Sequence, residues 1–121
     1  MKQDEIKGEY IRTVFKTAEY ESFYVNLPEK IKYKFDYVIN VLTTIYNVST
    51  KFIKHLENTD LYEMRVSVGT NEYRTVLFAI DHENFIEAKN IILLNAFLKK
   101  SNKDYRKQIE IAENILNRLE L

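Results

Sequence analysis

Arg65 and Arg74 stand at equal distances on either side of Gly69-Thr70 in LYEMRVSVGTNEYRTVLF. If the flanking segments pair as a hairpin, the two guanidinium groups face each other. Like charges directly opposite destabilise a sheet, so a chain that keeps such a pair has a use for it, such as holding an anion. A third apolar segment, NIILLNAFLKK, ends in Lys99 and Lys100. Guanidinium groups stay charged and grip phosphate in a bidentate fork, whereas lysine acts as a point charge. Together the four suit a phosphodiester whose negative charge grows during reaction. From Lys99 to Lys107 five basic residues meet one acid, Asp104. Lys103, Arg106 and Lys107 are candidate RNA contacts there. Tyr105 lies among them and can stack on a base or donate a proton. The simpler reading is a solvated strand face on which the arginines pair with Glu63 or Glu72, and from spacing alone that reading leads.

Other chemistries find little support. His55 and His82 are isolated, and no metal-ligand spacing accompanies them. The chain has no cysteine, so thiol catalysis, disulfides and Cys-bound zinc are excluded. Two glycines cannot build a phosphate-cradling loop or a nucleophile elbow. No cofactor is expected. The nine tyrosines and seven phenylalanines fall mostly at core positions of helices or strands.

Length and composition indicate one globular domain across residues 1–121, with 45% hydrophobic and 30% charged residues. Eighteen basic residues balance eighteen acidic ones. A uniformly basic coat is excluded, while a local basic patch is not. The polar start MKQDEIKGEY lacks a signal peptide's apolar core, and no apolar run approaches the ~20 residues of a membrane span. A cytoplasmic protein without membrane contact is expected.

The elements that must position the candidate residues follow from periodicity. Residues 1–9 are polar and expected to be loose. Ile11–Lys16 reads as a first strand. Tyr20, Phe23, Tyr24 and Leu27 suggest a short helix. Pro28-Glu29 opens a second helix, whose apolar stripe is Ile31, Phe35, Val38, Leu42 and Ile45, ending near Tyr46-Asn47. Residues 47–60 read as irregular. The period then becomes two: Tyr62, Met64, Val66 and Val68 share one face, continued by Tyr73, Thr75 and Leu77. Arg65 and Arg74 share the other with Glu63, Glu72, Val76 and Phe78. Glycine first in Gly69-Thr70 suits a II′ turn. Asp81–Asn90 reads as a long polar loop. Ile91–Leu94 is apolar on both faces, which suggests a central, doubly covered strand. A last helix starts at Ser101 or Asp104 and lays Ile109, Ala112, Leu116 and Leu119 along one face. The fold expected is α+β: an antiparallel or mixed sheet of about four strands, N-terminal helices on one face, and a C-terminal helix.

LYEMRVS, NEYRTVLF, ILLNAFLKK and KQIEIAENIL, in that order, resemble the HigB-like branch of the RelE/ParE toxin superfamily, including its phage-derived-protein-like members. The likeness spans residues 54–120. It implies a RelE-like fold and the toxin of a type II toxin–antitoxin pair. RelE and HigB members cleave messenger RNA on the ribosome without a metal, and the chemistry implied is attack of the RNA 2′-hydroxyl on the adjacent phosphate. The resemblance makes Arg65 and Arg74 stabilisers of the extra negative charge. It gives Lys99, Lys100 or Tyr105 a part in proton transfer or in orienting the base. The implied partners are a helix-turn-helix antitoxin and ribosome-bound messenger RNA. Two alternatives remain open: a ParE-like inhibitor of DNA gyrase, and a RelE-fold binding protein without catalysis.

Overall fold

The computed structural model describes residues 9–121. The loose stretch expected over residues 1–9 lies outside them save for Glu9, which is exposed. Strand β1 (Thr13–Lys16) leads into α1 (Ala18–Val25) and α2 (Glu29–Thr44). Then come β2 (Ile53–His55), β3 (Leu61–Val68), β4 (Asn71–Ala79), β5 (Asn90–Leu98) and α3 (Asn102–Leu119). The five strands form one sheet in the order β1-β5-β4-β3-β2. All neighbours are antiparallel except β1, which runs parallel to β5. The fold is α+β with a mixed sheet, as expected, but with five strands.

Local signals explain the helix boundaries. Thr17 caps α1, its hydroxyl accepting from the Tyr20 N–H at 3.0 Å. Pro28 sits at the N-cap of α2, where its missing N–H removes nothing from the helix. Helix α2 ends at Thr44, two residues before the expected stop. Ser101 caps α3 by accepting from the Asp104 N–H at 3.1 Å.

The two faces of the sheet carry separate cores. Helices α1 and α2 set Tyr20, Phe35, Val38 and Leu42 against Met64, Val66, Leu77 and Leu93. Helix α3 covers the opposite face, with Ala112 and Ile115 against Leu61, Val76, Leu94 and Phe97. This double cover explains why β5 is apolar on both sides. Val76 pairs with Asn95 and Leu77 with Leu93, so Leu94 is an extra residue in a bulge. Leu94 packs in the α3 core, and Asn95 donates to the Gln108 carbonyl and side-chain oxygens, both at 3.1 Å. The bulge thus directs two successive residues of β5 toward α3.

Two segments read as irregular carry structure. β2 is a three-residue edge strand in which only Ile53 is buried. Within the polar 81–90 connection, Phe85–Glu87 forms a single 3-10 turn that buries Phe85. The Phe85 N–H donates to the Tyr62 hydroxyl at 3.1 Å. The first strand begins at Thr13 because Ile11 and Arg12 bond elsewhere: both N–H groups donate to the Thr43 carbonyl. Arg12 is buried, and its guanidinium donates to five carbonyls, those of Leu42, Ile45, Tyr46, Phe85 and Ile86, at 2.7–3.3 Å. It also stacks 4.5 Å over the Phe85 ring.

Candidate functional site

Hairpin β3–β4 has the register that the turn spacing requires. Val68 pairs with Asn71 across Gly69-Thr70, and Arg65 lies directly opposite Arg74. Gly69 has φ +61°, a left-handed conformation open to glycine without steric cost. The pairing continues outward, with Arg74 opposite Phe97 and the Lys99 N–H donating to the Glu72 carbonyl at 2.8 Å. The end of the sheet near the hairpin turn therefore collects Arg65, Arg74 and Lys99 from three adjacent strand ends.

A buried carboxylate resolves the repulsion between the arginines. Glu63 shares their face and is 1% exposed. Its Oε2 lies 2.8 Å from the Arg65 Nε and 3.5 Å from the Arg74 Nε. The Tyr105 hydroxyl donates to its other oxygen, Oε1. Arg74 also donates through Nη1 to Glu72 at 3.2 Å and to the Tyr73 carbonyl at 3.1 Å. Glu72 accepts as well from the Ser67 hydroxyl at 2.8 Å. Those hydrogen bonds, Ser67 first and then Arg74, hold the Glu72 carboxyl below its ordinary range. The pairing of strand arginines with Glu63 and Glu72, the simpler expectation, is thus present.

The two arginines differ in access. The Arg74 side chain is 7% exposed, and that of Arg65 is 30% exposed. Only the Nε of Arg65 is engaged, so among the described residues both its terminal nitrogens are without a hydrogen-bond partner. Arg65 is the guanidinium that an outside anion can reach.

Tyr105 is half-buried on the first turns of α3, with its ring 6.0 Å from that of Phe97 and the Lys99 ammonium 5.4 Å from its centre. Burial, and then the hydrogen bond to Glu63, push the Tyr105 phenol above its ordinary pKa. A phenol so held is a poor proton acceptor, because its ionised form is disfavoured. It aligns Glu63 and supports the Lys99 side chain.

Four of the candidate residues therefore divide from the rest. Arg65, Arg74, Lys99, Tyr105 and the intervening Glu63 form one cluster. Lys100 is exposed beside it. Lys103, Arg106 and Lys107 are exposed on α3, spaced three and four apart on one helical stripe. Tyr105 points a half-turn away from that stripe, so the three form a second patch rather than part of the cluster. Among the described residues no ion pair or hydrogen bond joins them to it. Neither histidine enters the site: the His55 ring bonds the Thr59 carbonyl at 2.8 Å, and the His82 ring accepts from the Asn84 N–H at 3.0 Å. The central place of Glu63 was signalled by its position two residues before Arg65 on the same strand face. Its bond to Tyr105 spans 42 residues and depends on where α3 lies.

A mixed five-stranded sheet with two N-terminal helices on one face and a C-terminal helix on the other is compatible with a RelE-like toxin fold. Residues 22–117 match the phage-derived protein Gp49-like family (DUF891), and the chain belongs to that family. The family is linked to the RelE-type toxins of toxin–antitoxin systems, which makes this a toxin-like protein. None of the curated proteins compared with the chain matches it. Among the described residues no helix is long and apolar enough to cross a membrane.

Proposed function

We propose that the chain is the toxin of a type II toxin–antitoxin pair, of the HigB-like kind, and that it cleaves messenger RNA on the ribosome in the cytoplasm. The observation that carries this reading is the cluster at the sheet end, where Arg65 presents two unengaged guanidinium nitrogens and Lys99 lies over the Tyr105 ring. In the reaction the RNA 2′-oxygen bonds to the adjacent phosphorus and the bond to the 5′-oxygen breaks. A 2′,3′-cyclic phosphate and a 5′-hydroxyl result; one proton leaves the 2′-oxygen and one reaches the 5′-oxygen. The added charge on the phosphoryl oxygens falls to Arg65 and Lys99. Arg74, held by Glu63 and Glu72, is a positioning residue that fixes the cluster. Lys100 extends the positive charge outward. Lys103, Arg106 and Lys107 bind flanking RNA on the ribosome. The partner that silences the toxin is a helix-turn-helix antitoxin covering these cations.

A second reading is a RelE-fold binding protein without catalysis, favoured by the two carboxylates that occupy the arginines. Translation in a cell extract with purified protein and a mapped transcript separates the two. Codon-phased cuts that need ribosomes, lost in Arg65→Ala by about a hundredfold or more, are the expected result. Intact transcripts favour the binding protein, and intact transcripts with accumulated cleaved DNA–gyrase complexes favour a ParE-like inhibitor.

A further inference from the structure

A groove of about 480 Å³ separates α2 from the end of β3 that β2 leaves uncovered. Tyr33, Lys34 and Tyr37 of α2 line it, with Lys51 and Phe52, just before β2, and Arg65, Val66 and Ser67 of β3. Tyr33 and Tyr37 are one helical turn apart and lie off the apolar stripe that α2 buries, so their rings are 73% and 51% exposed. Tyr37 meets Phe52 edge to face at 6.2 Å, and the Lys51 ammonium sits 5.5 Å from the centre of the Phe52 ring. Among the described residues, the lining holds three cations, Lys34, Lys51 and the Glu63-paired Arg65, and no carboxylate. This charge distribution differs from the chain's neutral balance, and it coincides with flat, solvent-facing rings.

Only a stub of free β3 edge borders the groove. Arg65 already donates its N–H to the Phe52 carbonyl at 2.8 Å, which leaves little backbone beyond it for an added peptide strand. Flat rings interleaved with lysines suit a single strand of nucleic acid: bases stack on the rings and phosphates lie by the ammonium groups. Arg65 joins this groove to the ionic cluster on the other side of the sheet edge, so one strand can occupy both.

We infer that the groove is a subsite for single-stranded RNA, with bases on Tyr33 and Tyr37 and phosphates on Lys34 and Lys51, continuing the strand whose reacting phosphate meets Arg65. This rests on the reading of the Arg65 cluster as an RNA phosphate site, and it adds where the flanking nucleotides lie.

The test is fluorescence anisotropy with a labelled, uncleavable 2′-O-methyl oligouridylate and the full chain, without ribosomes. Tyr33→Ala/Tyr37→Ala is expected to weaken binding by about tenfold or more. Lys34→Ala/Lys51→Ala is expected to lower the slope of log affinity against log salt by about 1.4. All four side chains are at the surface of the groove, and circular dichroism with urea unfolding verifies that the variants fold. Wild-type affinity and salt slope in both double variants overturn the subsite. So does loss of a protein partner from the variants while RNA binding stays unchanged, which assigns the groove to a peptide. The extract assay keeps the two ideas apart. Tyrosine-dependent binding without transcript cleavage leaves the subsite standing and removes the nuclease reading, whereas cleavage with unchanged binding in both variants removes the subsite alone.

Discussion

At the scale of single residues, Glu63 organises the site. It is an acid buried at the contact of two arginines and a tyrosine, each drawn from a different part of the chain. Replacing it with glutamine keeps the shape and an acceptor for Tyr105 but removes the charge between two guanidinium groups. Breaking a buried ion pair from one side costs about 3–5 kcal/mol, because the surviving charges are left uncompensated. Glu63→Gln is therefore expected to lower the unfolding free energy, measured by urea titration, by an amount of that order, and also to raise affinity for phosphate-bearing ligands as the cations lose their internal anion. Equal stability and equal phosphate affinity in mutant and parent would show that Glu63 does not hold the arginines.

Among elements, the β3–β4 hairpin fixes everything near the site, since its register decides that Arg65 meets Arg74. That register depends on Gly69. An added Cβ meets no atom within 4 Å, so the cost of Gly69→Ala is the left-handed backbone alone, about 1–2 kcal/mol. Gly69→Asn is expected to cost less, since asparagine visits that region more readily. Thermal melting of the pair checks the order, and alanine melting at or above asparagine contradicts the conformational account. The hairpin, α2 and α3 were legible in the sequence because each repeats its period over two turns or more. Residues 53–55 were not legible, because a three-residue edge strand shows a single buried side chain and no alternation to count. Phe85 lay hidden in a polar string, and its burial is a tertiary contact with Tyr62 and Arg12. The facing arginines followed from counting along two strands. The bond from Tyr105 to Glu63 did not, because no local rule places α3 over that face.

For the molecule as a whole, three tyrosines make stability depend on alkaline pH. Burial raises Tyr20 and Tyr105 above their ordinary values, and burial with a hydrogen bond to Asp36 pushes Tyr24 up to about 12. The unfolded phenol titrates near 10, so the folded chain holds these protons more tightly. Their stabilisation is complete below about pH 10 and is lost as the pH rises through the folded values. Urea midpoints are expected to fall as the pH rises from about 10 to about 12, and Tyr20→Phe with Tyr105→Phe should flatten the decline. A midpoint level across that range contradicts the assignment. The Tyr20 hydroxyl is buried without a hydrogen-bond partner among the described residues, so its loss should cost little.

Arg12 has a different consequence, one for handling the protein. Its charge meets five carbonyl dipoles, two segments far apart in sequence are held by one side chain, and among the described residues no carboxylate lies within ion-pair reach. Added salt screens exposed charges strongly and this enclosed contact weakly. Ionic strength can then strip a polyanion from the basic surfaces while the junction of α2 with the β4–β5 connection stays closed. Release by salt should therefore report on binding, cleanly separated from unfolding.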